Sequence, residues 1–89
     1  MKKQKLTIYT SKKCPRCRSL KKWLRAHSFS FKEKNIGDTE IMASLVMRNI
    51  FVLSAPALEI GDRFFLSDQI FQENNSLQPS FIKIMEMKK

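Results

Sequence analysis

The chain has 89 residues, of which 43% are apolar and 28% are charged; this composition predicts one folded domain over residues 1–89 and excludes a disordered chain. Seventeen Lys and Arg stand against eight Asp and Glu, and the resulting net charge of +9 attracts anions and acidic partners. The basic start, Met1–Lys5, is followed by an apolar run too short for a signal peptide or a membrane span, so we expect a cytoplasmic protein without membrane association.

The first third of the chain predicts a strand, a helix and a second strand. Lys5–Thr10 alternates polar and apolar residues and is rich in β-formers, which predicts a strand. From Pro15 to about His27, apolar residues recur every three or four positions behind an opening proline, as is typical of an amphipathic helix. The other face of this helix is basic. Phe29–Lys34 alternates again and predicts the second strand.

The rest of the chain predicts a helix, a hairpin and two further helical segments. Capping residues, turn dipeptides and apolar spacing mark their ends. The apolar run Ile50–Leu53 has no clear periodicity, and its state is left open. The predicted elements are a helix from Asp38 or Thr39 to about Asn49, strands at Ala57–Ile60 and Arg63–Leu66, a short helix that Ser67-Asp68 can cap and that runs to about Gln72, and a last helix at Pro79–Met87.

The order of the main elements is β-α-β-α-β-β-α. Two strands separated by a helix predict a parallel pair with a crossover, whereas the late tight hairpin predicts an antiparallel pair. A four-stranded mixed sheet flanked by helices satisfies both conditions. We therefore predict an α/β fold of this kind.

The chain has two cysteines, Cys14 and Cys17, at the junction between the first strand and the first helix. A bridge across two residues removes little entropy from the unfolded chain, so structural stapling explains the pair poorly. At a helix N-terminus, unpaired amides favour a thiolate, and Lys12 and Lys13 add positive charge nearby. We expect the pKa of Cys14 to fall to roughly 3.5–7.5, against about 8.5 for a free thiol, and Cys17 to stay protonated.

Two other interpretations of the cysteine pair are open. A zinc site needs about four ligands, and the chain offers only the two cysteines and His27 as good donors, so a carboxylate or a second subunit would have to complete it. We predict no resident metal. Two cysteines brought together by chance are the other interpretation. Redox chemistry is the interpretation that we favour.

Three segments together resemble the glutaredoxins. Thr7–Thr10 followed by Cys-Pro-Arg-Cys is similar to the opening of that family, and Ser54-Ala55-Pro56 resembles its Thr-Val-Pro segment, whose proline is cis. Ser67-Asp68 resembles the step that binds the γ-glutamyl end of glutathione. The resemblance implies a thioredoxin fold in which Cys14 attacks and Cys17 resolves. It also implies a substrate- or glutathione-binding set, namely Lys12, Lys13, Ala55, Pro56, Ser67 and Asp68.

The resemblance implies a thiol–disulfide oxidoreductase that reduces protein or low-molecular-weight disulfides by dithiol exchange. We expect a monomer with no permanently bound cofactor, reduced by glutathione or by a thioredoxin-reductase-like flavoprotein. The donor is left open because Ser11 stands where the family commonly has lysine, and Phe65-Leu66 where it commonly has two glycines. Nucleic acid is not an expected partner, since no aromatic residues interleave with the basic helix face.

Two alternatives use the same fold. One is an interaction module without turnover, which senses redox state or carries a metal or an iron–sulfur cluster. The other comes from a second resemblance, which covers only the first third of the chain. Tyr9-Thr10-Ser11, the cysteine pair, Trp23-Leu24 and His27 are similar to the opening of Spx and arsenate-reductase-like proteins, although the chain lacks room for the additional helical insertion of that family.

Overall fold

The computed structural model describes residues 5–87, so Met1–Gln4 of the basic start lie outside the described residues. The elements follow one another in the predicted order, with the short helix after the hairpin counted as α3. They are β1 (Leu6–Thr10), α1 (Pro15–Ala26), β2 (Lys32–Asn35), α2 (Thr39–Met47), β3 (Ala57–Ile60), β4 (Arg63–Phe65), α3 (Ser67–Ile70) and α4 (Pro79–Met87).

The four strands form one mixed sheet in the order β2-β1-β3-β4. β1 is central: it pairs in parallel with β2 and antiparallel with β3, and β4 completes the hairpin with β3. Gly61 closes the hairpin turn with a φ of 59°, a left-handed conformation that glycine adopts without steric cost. Helix α1 makes the crossover between β1 and β2. The parallel pair and the hairpin are therefore both present, as predicted.

Two apolar clusters hold the helices to the sheet. In the larger one, α1 and α4 pack on the central strands, and Leu20 and Leu24 of α1 are completely buried. The smaller cluster, which includes Leu45 of α2 and Val52, contains only four buried residues. Because each buried leucine contributes about 1.5–3 kcal/mol through burial, α1 is anchored firmly beneath the cysteine pair. The larger cluster contains Leu6, Ile8, Leu20, Leu24, Leu58, Ile60, Phe65, Ile70, Phe71, Phe81 and Met85.

The start of β2 and the end of α2 differ from the prediction because the chain leaves helices through left-handed residues. After α1, Ser28 has a φ of 63° and the Phe29 amide bonds the Leu24 carbonyl at 2.9 Å, so β2 begins at Lys32 rather than Phe29. After α2, Asn49 has a φ of 60°, and the helix ends at Met47 instead of Asn49. Alternation alone does not reveal such a turn.

The predicted cap of α3 is wrong. Ser67 and Asp68 lie inside the helix, and Leu66 takes the N-cap position. The Gln69 side chain satisfies the Leu66 amide, which donates to Oε1 at 2.8 Å. A glutamine at the third helical position thus reaches back to the cap residue, which needs no polar side chain of its own for that bond.

The run Ile50–Leu53, whose state the sequence left open, has no regular structure. Val52 is buried, whereas Phe51 and Leu53 are 60% and 96% exposed. Met47, the last residue of α2, is 85% exposed. The segment between α2 and β3 therefore presents apolar side chains to solvent.

Candidate active site

The two cysteines occupy the start of α1 and are joined by a disulfide bond, with their Cα atoms 5.2 Å apart. Cys14 is the N-cap residue, and its Sγ accepts the Cys17 amide at 3.0 Å. Cys14 is half-buried, whereas Cys17 is 2% exposed. The pair is therefore asymmetric: one sulfur is accessible at the mouth of the helix and the other is buried in its first turn.

The local sequence explains this placement. Pro15 takes the first helical position, where its missing amide costs no hydrogen bond. Lys13, with a φ of 53°, turns the chain from β1 into the helix. The first turn of α1 contains no acidic residue, so nothing there offsets the positive end of the helix dipole.

One side of the cysteine pair opens into a pocket of about 400 Å³, here called the α1–β2 pocket. Both cysteines line it, so a molecule bound in it lies next to the disulfide. Lys13 is the one predicted binding residue among its walls. The complete lining is Thr10, Ser11, Lys13, Cys14, Pro15, Cys17, Arg18, Lys21 and Glu33.

Glu33 is the carboxylate of this pocket, and it is held by two neighbours. The Thr10 hydroxyl donates to Glu33 Oε2 at 2.9 Å, and Lys21 Nζ lies 3.1 Å from the same oxygen. These hydrogen bonds, first from Thr10 and then from Lys21, lower the pKa of Glu33. Lys21 is thus paired, whereas Lys13 and Arg18 have no carboxylate partner among residues 5–87.

Arg16, the residue between Pro15 and Cys17, does not line this pocket and contacts the segment 67–75 instead. Its Nε donates to Asn75 Oδ1 at 2.6 Å, and its Nη2 to the Gln72 carbonyl at 3.2 Å. Its Nη1 lies 3.4 Å from the Ser67 hydroxyl oxygen, and its guanidinium stands over the Phe71 ring at 5.2 Å. Arg16 therefore connects the Cys14–Cys17 segment to the segment 67–75 through these contacts.

The other predicted binding residues lie outside the α1–β2 pocket. Pro56 is buried and follows a cis peptide bond from half-buried Ala55, as the resemblance implies. Ser67 is 5% exposed, whereas Asp68 and Lys12 are exposed. A role of these residues in binding glutathione or substrate stays a prediction.

Thr10, Arg18, Lys21 and Glu33 were not predicted as site residues. Arg18 and Lys21 follow Cys14 by four and seven positions, a spacing that places them on one helix face, and this signal was available in the sequence. The place of Glu33 at the site follows only from the parallel register of β1 and β2, in which Glu33 pairs with Ile8. The Arg16–Asn75 bond joins residues 59 positions apart, and no local pattern predicts it.

Among residues 5–87, no group of three or more His, Cys, Asp and Glu side chains could hold a metal ion. His27 is the C-cap of α1; its Nδ1 lies 2.9 Å from the Trp23 carbonyl oxygen and its ring stacks on Trp23 at 4.1 Å. Trp23 itself is half-buried and packs against the larger cluster. Within the same residues, no helix has the length and apolar character that crossing a membrane requires.

Comparisons with known proteins agree with this architecture. The family model described as glutaredoxin matches residues 6–65, about two thirds of the chain. The thioredoxin-like protein BC3987 superposes with a TM-score of 0.66 at 16% identity, over 91% of this chain and 99% of that one. Glutaredoxin 1 from Francisella tularensis gives 0.61 at 23% identity, over 93% and 98%. The glutaredoxin-like NrdH-redoxin from Escherichia coli gives 0.58 at 24%, over 70% and 80%. These likenesses confirm the predicted thioredoxin fold.

A curated relative matches a short segment. The global transcriptional regulator Spx from Enterococcus faecalis is 52% identical over 31 residues, which make up 35% of this chain. The match spans about a quarter (24%) of the length of that regulator. It agrees in extent with the second resemblance, which covers the first third of the chain.

Proposed function

The chain belongs to the glutaredoxin family, and on that premise we propose that it is a thiol–disulfide oxidoreductase acting through Cys14 and Cys17. One observation carries the proposal: an accessible sulfur at a helix N-cap lies in disulfide contact with a buried sulfur one turn later. This asymmetry supports Cys14 as the attacking sulfur and Cys17 as the resolving sulfur, because the attacking sulfur must be reached by substrate and the resolving sulfur need only reach its partner.

In the reduced protein, Cys14 is the thiolate. Its Sγ stands where the Cys17 amide donates at 3.0 Å, at the positive end of a helix without acidic residues in its first turn. Both features favour the anion over the thiol, and burial of Cys17 favours the protonated form of that residue. Cys14 therefore attacks first.

The exchange proceeds in two displacements. The Cys14 thiolate bonds to one sulfur of the substrate disulfide, and the other sulfur leaves as a thiolate. Cys17 then loses its proton and attacks Cys14, which expels the second substrate sulfur and closes the Cys14–Cys17 disulfide. Two electrons pass from the protein dithiol to the substrate. The released thiolates take up protons from solvent, which also receives the Cys17 proton.

For the electron donor, we propose a thioredoxin-reductase-like flavoprotein, with glutathione as the alternative. Ser67 belongs to the Ser67-Asp68 step that the resemblance links to glutathione, and its hydroxyl already contacts Arg16 Nη1 at 3.4 Å, which supports the flavoprotein. The substrates in this proposal are protein disulfides and low-molecular-weight disulfides. The protein acts as a cytoplasmic monomer that holds no resident cofactor.

Coupled disulfide reduction tests the function. The protein is supplied with NADPH and either thioredoxin reductase or glutathione with glutathione reductase, and hydroxyethyl disulfide and insulin serve as substrates. We expect NADPH consumption in the flavoprotein arm, and its loss in Cys14→Ser. Undiminished activity of Cys14→Ser would refute the assignment of the nucleophile, and an inactive native protein in both arms would refute the proposed function.

The Spx match favours a second candidate, a redox-sensing interaction module whose disulfide opens and closes without turnover. This module would form and lose the Cys14–Cys17 bond reversibly yet reduce neither substrate in the assay above. The two candidates therefore differ in a single measured quantity, multiple-turnover reduction.

A further inference from the structure

We propose that the exposed basic face of α1 docks an acidic segment of the protein whose disulfide Cys14 attacks. This face, here called the α1 stripe, consists of Arg18, Lys22 and Arg25. The inference rests on the proposed function and adds to it the kind of protein partner and the surface that receives it. Most of this surface lies outside the α1–β2 pocket, since Lys22 and Arg25 do not line that pocket.

Helical spacing brings the three cations of the α1 stripe onto one face. Lys22 follows Arg18 by four positions and Arg25 follows Lys22 by three, and residues at these spacings are neighbours on a helix surface. All three are exposed, and none forms an ion pair among residues 5–87. The stripe is therefore a row of cations that face solvent.

The surroundings of the stripe do not neutralise it. Helix α1 contains no acidic residue, and the carboxylate of Glu33 on β2 pairs with Lys21 at 3.1 Å. The bonds from Thr10 and Lys21 lower the pKa of Glu33 more than the charge of Arg25 does, and Arg25 forms no ion pair with it. The stripe thus keeps its positive charge.

The row of cations continues to the attacking sulfur. Lys12 and Lys13 directly precede Cys14, and both are exposed and form no ion pair among the described residues. Arg18, at the near end of the stripe, lines the α1–β2 pocket together with Cys14. A segment docked along the stripe can therefore continue to a disulfide at Cys14.

Unpaired exposed cations elsewhere in the described chain do not form such a row. Lys32 and Lys34 flank Glu33 on β2, and because side chains alternate along a strand they lie on the face of the sheet away from α1. The others are single residues on separate parts of the fold, namely Lys5 before β1, Arg63 in β4 and Lys83 in α4.

The length of the stripe suits an extended polypeptide. At about 1.5 Å per residue, Arg18 and Arg25 are separated by about 10 Å along the helix axis. An extended chain rises about 3.3 Å per residue, so about four residues cover that distance and alternate side chains face the helix. A segment with acidic residues at alternate positions can therefore pair with successive cations of the stripe.

Two other occupants fit the stripe less well. A second copy of this chain carries the same net charge of +9 and repels the first. A single-stranded nucleic acid stacks its bases on open aromatic rings, but Phe31 is half-buried beneath Arg25 at 5.4 Å and Trp23 stacks on His27 at 4.1 Å. A protein segment is the occupant that exchange with protein disulfides brings to Cys14.

Binding to the oxidised protein tests the stripe without depending on turnover. The probes are a fluorescein-labelled peptide of alternating glutamate and serine, the same peptide with glutamine in place of glutamate, and a labelled DNA duplex. Fluorescence anisotropy at low ionic strength gives the dissociation constant of each.

Two matched double variants make the same charge change in different places. Lys22→Glu with Arg25→Glu alters the stripe, whereas Lys83→Glu with Arg63→Glu alters α4 and β4. Each pair replaces one exposed lysine and one exposed arginine that stands over a phenylalanine ring, at 5.4 Å in the stripe and 5.2 Å in the control. Circular dichroism checks that both are folded, and the single variants Lys22→Glu and Lys83→Glu replace a double variant that fails to fold.

We expect the native protein to bind the glutamate peptide more tightly than the other two probes. The stripe variant should weaken that binding at least about tenfold and the control variant less than about threefold. Equal losses in the two variants, or equal binding of the two peptides by the native protein, would overturn the inference. A DNA duplex that binds more tightly than the glutamate peptide and loses affinity only in the stripe variant would overturn the choice of a protein partner.

Placement of the docked segment beside Cys14 is tested with the reduced protein. Each peptide carries one terminal cysteine in disulfide linkage to mercaptoethanol, and mass spectrometry after acid quenching follows formation of the oxidised protein in a single turnover. We expect the glutamate peptide to react about fivefold faster than the glutamine peptide, and this advantage to fall below about twofold in the stripe variant only.

Equal rates of the two peptides with the native protein would overturn the placement. Failure of the native protein to reduce either peptide disulfide would overturn the proposed function, whereas the anisotropy measurement would still decide whether the stripe docks an acidic segment. The two failures are therefore distinguishable.

Discussion

Arg16 and Arg18 lie two positions apart beside the cysteine pair, and their surroundings differ. On one flank, Arg16 is held by Asn75, Gln72 and Ser67 and covers the Phe71 ring. On the other, Arg18 is exposed and lines an open pocket without a carboxylate partner among residues 5–87. Two steps along a helix rotate a side chain by roughly 200°, so the same residue type is structural on one flank and available on the other.

This contrast shows why the net charge of +9 says little by itself. A cation attracts a ligand only where no protein group already satisfies it. The contacts of each arginine, rather than the number of arginines, decide which flank of the pair is open to an anion.

The largest expected effect falls on Cys17, which lines the open flank. In Cys17→Ser the second displacement cannot occur, so the substrate stays attached to Cys14 as a mixed disulfide and dithiol turnover falls by at least about a hundredfold. Intact-mass spectrometry after mixing with 3,3′-dithiodipropionate should show a single adduct. A Cys17→Ser protein that completes the reaction at the native rate would contradict the assignment of Cys17 as the resolving thiol.

The next largest effect is a difference in the free energy of unfolding between variants of Arg16 and Arg18. Arg16→Ala should lower the free energy of unfolding by about 1–2 kcal/mol, because three hydrogen bonds and the contact with Phe71 are lost from a partly exposed site. Arg18→Ala should change it by less than about 0.5 kcal/mol. Urea denaturation of both oxidised variants makes the comparison. Equal losses would mean that the flanks do not differ in the way described.

The smallest effect concerns acid stability on the open flank. The folded pKa of Glu33 lies below its usual value because of the bonds from Thr10 and Lys21. The stability that Glu33 contributes is therefore present above its unfolded pKa of about 4.3 and is lost as the pH falls through the folded value. Glu33→Gln should lower the free energy of unfolding by roughly 0.2–1 kcal/mol at pH 7, with the difference vanishing in acid.

Glu73→Gln is the matched control for this experiment, since Glu73 is exposed and makes no ion pair among the described residues. The same decline for both variants, or a difference between Glu33→Gln and the native protein that persists at low pH, would show that the Thr10–Glu33–Lys21 contacts do not stabilise the folded state.

Much of the fold was predictable because local signals agree with it. The alternation in β1, the proline at the start of α1 and the Gly-Asp turn between β3 and β4 each mark their element. The cysteine pair could be placed for the same reason, since it directly follows a strand and opens a helix. Short-range sequence patterns are sufficient to predict both these elements and the position of the cysteine pair.

The remaining features depend on contacts that sequence spacing does not encode. The bond from Arg16 to Asn75 needs two segments that meet only in the folded chain. The start of β2 depends on the left-handed Ser28, and serine is not among the non-glycine residue types enriched at positive φ. The exposure of Leu53 at 96% contradicts what its apolar character suggests. Composition shows which residues are apolar, but not which of them find a partner.

The most direct test is the pH dependence of alkylation of the reduced protein by iodoacetamide, with the modified residue identified by peptide mass spectrometry. We expect Cys14 to react first, with a midpoint below about pH 7.5, while Cys17 stays unmodified over the same range. A midpoint near 8.5, the value of an ordinary free thiol, or earlier modification of Cys17 would contradict the central claim that the helix N-terminus holds Cys14 as an anion.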